Sequence, residues 1–542
     1  MEEAQFDVVV VGAGPVGVTM ANLFGVYGIK TLLIERNADI LDYPRAVGLD
    51  DEAMRTFQSA GLAQDLLKDM IQHVPLRMYT AHKQCFAEIL PATQEFGWCR
   101  RNLFSQPLGE RVMRDGLSRY PHIHFQSEVE LTAIEQDTHH VTATLQDVRH
   151  GTLSQVRARY LVGADGGRST VREALLKIPF EGKTHPRKWV VIECDNDPLD
   201  APYTALHCEP RRPYVCLRLP YGLRRWEFML FPGEDGDQML HPDKVHELLS
   251  HHVADPAQLN VIRARVYTHN SRVARDFVQG RVCLAGDAAH ITPPWIGQGL
   301  NAGLRDVFNL TWKIAWILKG RLKPDTLVSY QVERHAHAKA MIELADLFGA
   351  MLSQTHPLLA WLRDTFFMAV RGIPSVRDYV LQMKFKPMPR FREGVVVAHP
   401  NPRLDERVGR MFIQPKVEIA RGHVQPLDDV LGPGFALLTW QSDMACDLSA
   451  SLSHQLDHLG CCIVAAARSK SLQGMQLRAA GREGVIVVED FENALHGWFT
   501  QTGADWVLIR PDRYVAALGS AQDMNDMLSR FVDQFAAQPG SS

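Results

Sequence analysis

The spacing of apolar and polar positions changes period several times along this chain, and each change marks an element. Within residues 6–11, FDVVVV, the four consecutive valines form an unbroken apolar run, as expected of a strand buried on both faces. The run breaks at Gly12, and Val16, Met20, Leu23 and Tyr27 then recur at helical spacing. A second apolar run, KTLLIE, ends on Glu35. Strand, helix, strand in that order predicts a parallel βαβ unit. Segments 121–148 and 151–163 alternate with period two, and residues 187–275 are dense in Val, Tyr, Trp, Arg and turn residues, which predicts a β-rich region. Helical spacing dominates from 299 to about 384. The stretch KFKPMPRFREGVVVAHPNPR (384–403), with four prolines and several charges, reads as a linker. Beyond it, apolar strands (GFALLTW, GCCIVAAA, DWVLIR) alternate with helical stretches, which predicts a small α/β domain.

Composition narrows the class. With 542 residues the chain is too long for one core, and two or three domains are expected. A net charge of −4 shows no basic bias, which argues against nucleic acid as a partner. The nine cysteines contain no CxxC, a pattern of reduced thiols in a cytoplasmic protein rather than a disulfide framework. The N-terminus is acidic and reaches glycine at once, unlike a signal peptide. The most apolar helix, VFNLTWKIAWILKG (307–320), contains Lys313 and falls short of the roughly 20 apolar residues of a membrane span, so it is expected in the core.

Two glycine clusters carry the chemistry. Gly12-Ala13-Gly14-Pro15-Val16-Gly17 follows a buried strand, opens a helix and precedes Glu35 at the next strand end. In that context Gly12 makes a tight turn, Gly14 admits a pyrophosphate and Gly17 lets helix and strand pack closely. The helix N-terminus faces the phosphates and Glu35 the ribose diol, with Arg36 beside it. This motif does not separate NAD from FAD. The second cluster, GRVCLAGDAAHITPPWIGQGLNAGLRD (280–306), favours FAD. Asp287 at a strand end can accept ribityl hydroxyl bonds, while Gly297, Gly299, Leu300 and Asn301 open a helix whose N-terminus can face the flavin pyrimidine. A third stretch, LVGADGGRSTVREAL (161–175), offers Asp165 and the cation Arg168, with capping-box spacing from Thr170 to Glu173.

These motifs, in this order, resemble the class A flavoprotein aromatic hydroxylases, and the likeness covers the whole chain. YPRAVGLDDEAMR, FSQPLGERVMR and GDAAHITPPWIGQGLNAGLRD are most similar to the branch acting on 3-(3-hydroxyphenyl)propionate and 3-hydroxycinnamate. The resemblance implies an α/β fold: a Rossmann-like FAD domain (1–180, interleaved with substrate-domain pieces near 70–100), a β-rich substrate domain (181–275), completion of the FAD domain with helices (276–385), the linker (386–403) and a thioredoxin-like domain (404–542). It implies FAD as cofactor, NADH and O2 as co-substrates, and hydroxylation of a phenolic acid ortho to its hydroxyl. Arg45 would flank the flavin ring, Gln106 meet the ribityl or pyrophosphate region, Asp165 and Arg168 support the dinucleotides, and Pro293 lie by flavin and substrate. Tyr267 joins Arg45 and Pro293 as a catalytic candidate. His207, Arg211, Arg212 and Tyr214, in the β-rich region, are the candidate substrate contacts, with arginine suited to a carboxylate. Phenol hydroxylases carry an acid two residues after the match to Arg45, where this chain has Val47, so the group that takes the phenol proton is left open. NADPH in place of NADH, a larger phenolic or polyketide substrate, and an oxygen-independent flavin reductase also stay open, as does the assembly, a homodimer included.

Other signals are weaker. His246 and His251 are one residue too far apart to share a metal on a helix, so no metal is expected. His335 and His337 are expected to face solvent. The tail lacks a thioredoxin CxxC, so Cys461 and Cys462 are expected to have no redox role.

Overall fold

The computed structural model describes residues 5–420, 422–440, 448–468 and 484–538. The strand Phe6–Val11 forms the middle of a sheet, paired in parallel with Thr31–Glu35 on one side and Leu153–Gly163 on the other. Val8, Val9 and Val10 are wholly buried, as a strand covered on both faces requires. Ile123–Ser127 and Val282–Leu284 extend the sheet in parallel. The helix Pro15–Val26 packs against Gly299–Leu318, which is buried along almost its whole length, Lys313 included. The two glycine clusters, nearly 300 residues apart in sequence, are thereby brought to one end of the sheet.

The β-rich region builds a second, eight-stranded sheet around the long strands Phe180–Asp195 and Asn260–Ala274. Its far edge takes in Leu76–Tyr79 and Cys85–Ile89, from the interleaved segment. One face of this sheet covers a core with the helix Pro242–Ser250; the other turns toward the glycine clusters.

A third sheet belongs to the tail. Ala436–Trp440, Cys462–Ala467 and Val485–Glu489 run parallel, and Trp506–Ile509 and Val515–Gly519 add antiparallel strands. The segment 384–403 has little regular structure but is not free in solvent. Phe391, Val395, Val396 and Val397 are buried, and the Val397 N–H bonds the carbonyl of Ala516. Buried charges join tail and body. Arg55 forks onto Asp428, and Arg510 reaches both Glu333 and Asp512.

Two expectations need correction. His337 does not face solvent: it is buried, within 3.0 Å of an Arg334 nitrogen, and burial holds its imidazole well below the usual range. His335 is half-buried against Phe277. Thr170 caps nothing. The short helix Val171–Leu175 is started by Asp165, which accepts from Ser169 Oγ at 2.5 Å and the Val171 N–H at 3.1 Å. An acid in the preceding loop outcompetes the local hydroxyl for the free N–H groups.

Candidate active site

The Gly12–Gly17 turn shows why each glycine is there. Gly12 has φ +99°, and a Cβ on it would lie 2.6 Å from the Ala164 carbonyl oxygen. A Cβ on Gly17 would lie 1.9 Å from the Gly12 carbonyl oxygen, so helix and turn can touch only without a side chain there. Gly14 differs: its Cβ direction meets only the end of Arg45, 3.9 Å away, and opens onto a cleft.

That cleft is lined by Gly12, Gly14, Glu35, Arg36, Arg114, Asp165 and Arg168 among others. Glu35 stands at the strand end, accepting from the Ala13 N–H at 2.9 Å and from Asn37. Arg168 is exposed at the rim, while Asp165 shapes the loop beneath it through Ser169 and Val171. Gly14, Arg45, Ala164 and Gly166 line both this cleft and a larger cavity of about 390 Å³, so the two are continuous.

The cavity lies between the glycine clusters and the open face of the second sheet. Arg45, Gln106, Asp287, Pro293, Gly297, Gly299, Leu300 and Tyr267 all line it. Asp287 projects into the space yet sits deep in the molecule; the enclosure raises its carboxyl, against the pull of Arg45. Gly297 takes the left-handed conformation, φ +63°, with no atom near its Cβ direction, and the helix Gly299–Leu318 starts just beyond it. Its free N–H groups give that wall a positive dipole end. Gln106 serves the protein itself. Its Oε1 accepts from the Arg45 and Ala46 N–H groups at 2.8 and 2.7 Å, and its Nε2 donates to Glu110, which pins the loop carrying Arg45. Asn301 also faces protein: it ties Asp50, Gly48 and Gly297 together and lies outside the cavity wall.

The four candidate substrate contacts are not in the cavity. His207 is stacked between Tyr79 and Tyr214, with ring centroids 4.8 and 4.2 Å away, on the opposite face of the sheet. Strand alternation decides this: Thr204 and Leu206, and opposite them Val215 and Leu217, face the cavity, so His207 and Tyr214 cannot. Arg212 is held by Glu234 at 2.6 Å and the Met229 carbonyl, and Arg211 points into solvent. In their place the cavity wall carries Arg101, Trp189, Arg225, His269 and Trp295. Trp295 lies edge-on to Trp189, 4.9 Å between centroids, and His269 stacks on Trp189 at 5.6 Å. Burial lowers the His269 imidazole to about 4, so it is neutral near pH 7, and burial raises the Tyr267 hydroxyl. Val47, two residues after Arg45, lines the wall with an apolar side chain. Two of the missed residues had a readable signal: Trp189 and His269 flank Val190 and Thr268 on strands recognisable from their composition. Arg101 had none.

An extended cleft with an acid at one end, joined to a wide cavity with an acid and a helix N-terminus at the other, fits a dinucleotide ending in a large ring. Sequence comparison agrees. Residues 5–345 match the model of the FAD binding domain family. The chain belongs to that family. Residues 409–534 match the HcaD C-terminal domain. A Burkholderia vietnamiensis protein named 3-(3-hydroxy-phenyl)propionate/3-hydroxycinnamic acid hydroxylase 2 is 50% identical over 97% of this chain and 96% of its own. The hydroxylase of the same substrates from Escherichia coli is 42% identical over 97% of this chain and 94% of its own. Among solved structures, the flavin-dependent monooxygenase PieE, in complex with FAD and substrate, superposes with a TM-score of 0.81 at 22% identity, over 98% of this chain and 100% of its own. Aklavinone-11 hydroxylase, with FAD and aklavinone, gives 0.77 at 23%, again over 98% and 100%. This member of the FAD binding domain family is a flavoprotein monooxygenase, and FAD is its cofactor.

Proposed function

We propose that the enzyme hydroxylates 3-(3-hydroxyphenyl)propionate, and also 3-hydroxycinnamate, ortho to the phenol, consuming NADH and O2 and releasing the 2,3-dihydroxy product, NAD⁺ and water. The observation that carries this reading is the extent of the 50% identity: it runs over 97% of the chain and so takes in the β-rich walls that contact substrate, not the dinucleotide cleft alone. FAD, when bound, supplies the redox chemistry between nicotinamide and O2. The chain supplies the rest. Glu35 and Arg36 would hold the adenosine end, the helix starting at Pro15 the pyrophosphate, and Asp287 the ribityl hydroxyls. Pro293, the helix starting at Gly299 and Arg45, which line the cavity together, would hold the flavin ring. The apolar side chains of Val47, Leu76, Leu103 and Val215, with Trp189 and Trp295, would pack against the substrate ring and limit water around it. His269, neutral near pH 7, and the Tyr267 hydroxyl are cavity groups that can hydrogen-bond the substrate's phenol oxygen.

The setting is cytoplasmic. The described cysteines are free, burial raises the buried thiols Cys194, Cys208, Cys216 and Cys283, and no helix among the described residues is long and apolar enough to cross a membrane. A homodimer is the assembly to test by light scattering. The functional test is a panel of meta-substituted phenols scored for NADH and O2 consumption, with product identification. The reading predicts coupled formation of 2,3-dihydroxyphenylpropionate; preference for phenol itself, or NADH oxidation that persists without O2, would refute it.

A further inference from the structure

The cavity wall contains three arginines, Arg45, Arg101 and Arg225, and their surroundings differ. Arg225 is paired with carboxylates of the protein itself. Its Nε donates to Glu227 at 2.9 Å, its Nη1 to the Pro44 carbonyl at 3.0 Å, and Glu193 lies 3.7 Å away. Arg45 stands at the junction of cavity and cleft, where it approaches Gly14 and acts on Asp287. Arg101 has neither arrangement. It precedes the short strand Asn102–Phe104, and a reciprocal pair of bonds with Val74 fixes it: the Val74 N–H donates to its carbonyl at 3.2 Å, and its Nε donates to the Val74 carbonyl at 3.0 Å. Among the described residues, no carboxylate pairs with it and no acceptor meets its terminal nitrogens. The wall around it is apolar, with Leu103, Leu217 and Val47 close by.

A half-buried guanidinium in an apolar wall without a counter-charge is costly, and burial, with no opposing anion, lowers Arg101 to about 10. A protein keeps such a group where a ligand brings the missing charge. Two free Nη groups in one plane match the two oxygens of a carboxylate.

We infer that Arg101 is the specificity residue that receives the side-chain carboxylate of the aromatic substrate, fixing the ring in the cavity by the end remote from the phenol. This rests on the phenolic-acid reading above and adds to it the residue that distinguishes an acid from a neutral phenol. Arg101 lies outside the β-rich region where arginine pairs were expected, and its neighbour Arg100 is turned away toward Asp51 and the Gln382 carbonyl.

The test is steady-state kinetics of the FAD-loaded enzyme with 3-(3-hydroxyphenyl)propionate and with its neutral amide, for wild type, Arg101→Met and Arg101→Lys. The carboxylate is held alike in the ground and transition states, so Arg101→Met is expected to raise KM for the acid by about 10- to 100-fold with little change in kcat. KM for the amide should stay unchanged or fall, FAD affinity should be unaltered, and Arg101→Lys should recover part of the loss. If Arg101→Met raises KM for acid and amide equally, or for neither, the assignment is overturned while the phenolic-acid reading stands. If wild type does not turn over the acid at all, that reading falls and the assignment with it. Should the methionine variant fail to hold FAD, the lysine variant and the wild-type ratio of acid to amide still decide: no preference for the acid in wild type refutes the role.

Discussion

Removing the charge of Glu333 tests how the tail is held to the flavin-binding body. Glu333 is fully buried, and each of its oxygens is occupied. Oε1 accepts from Arg510 Nη1 at 2.7 Å and the Val395 N–H at 2.8 Å; Oε2 accepts from Arg510 Nη2 and Lys313 Nζ, both at 2.8 Å, and from Asn309 at 2.6 Å. Lys313 and Asn309 lie on the helix that begins at the cavity, Val395 on the segment joining the two parts, and Arg510 in the tail. One carboxylate therefore binds three regions of the chain. Glu333→Gln keeps the shape but leaves Lys313 and Arg510 buried with Asp512 as their remaining anion. Breaking a buried pair by removing one partner costs about 3–5 kcal/mol, and that loss is expected in the urea midpoint of the unfolding step reported by tryptophan fluorescence. The pH dependence sharpens the test. Burial would raise the Glu333 carboxyl, but Arg510 and Lys313 outweigh it and hold it down at about 2 against an ordinary 4.5. A depressed acid contributes stability that is complete above the ordinary value and is lost as pH falls toward the folded one. The gap between wild type and variant should thus be level from pH 7 to 5 and close below about 4.5. A loss under about 1 kcal/mol at pH 7, or a gap unchanged at pH 3, would show that the network does not hold the domains.

Three further outcomes are expected. Asp287→Ala should weaken FAD binding by about 1.5–3 kcal/mol per lost ribityl bond, read by fluorescence titration of the apoprotein; unchanged affinity would make Asp287 purely structural. Cys461→Ser with Cys462→Ser should leave turnover intact, because burial pushes both thiols up, away from the reactive thiolate; a large rate loss in a folded variant would give them a chemical role. Arg212→Ala should leave KM for the acid within about twofold, since Glu234 already occupies its guanidinium; a tenfold rise would mean that Arg212 reaches substrate after all.

The dinucleotide cleft was legible because its requirements are local. Gly12 must adopt a positive φ and Gly17 must lack a side chain, so the glycines stand at fixed offsets after an unbroken apolar strand, and any chain with that turn shows them. The second cluster was legible for the same reason, from Gly297 before a helix and Asp287 at a strand end. The cavity wall on the second sheet has no such local code. His207, Arg211, Arg212 and Tyr214 were credible by residue type and region, yet the phase of two strands turned His207 and Tyr214 to the far face, and a shift of one residue in that register would have turned them inward. Nothing in YTALH or YVCLR states which face meets the cavity; that is set by where the second sheet docks on the first. Arg101 is harder still. It sits in WCRRNLF beside a second arginine of the same charge, and only the folded chain separates them: Arg100 finds Asp51, and Arg101 finds no anion. A residue meant for a ligand is recognisable by the partner it lacks, and a missing partner leaves no mark in a sequence. It becomes visible once packing has assigned every other charge in the wall.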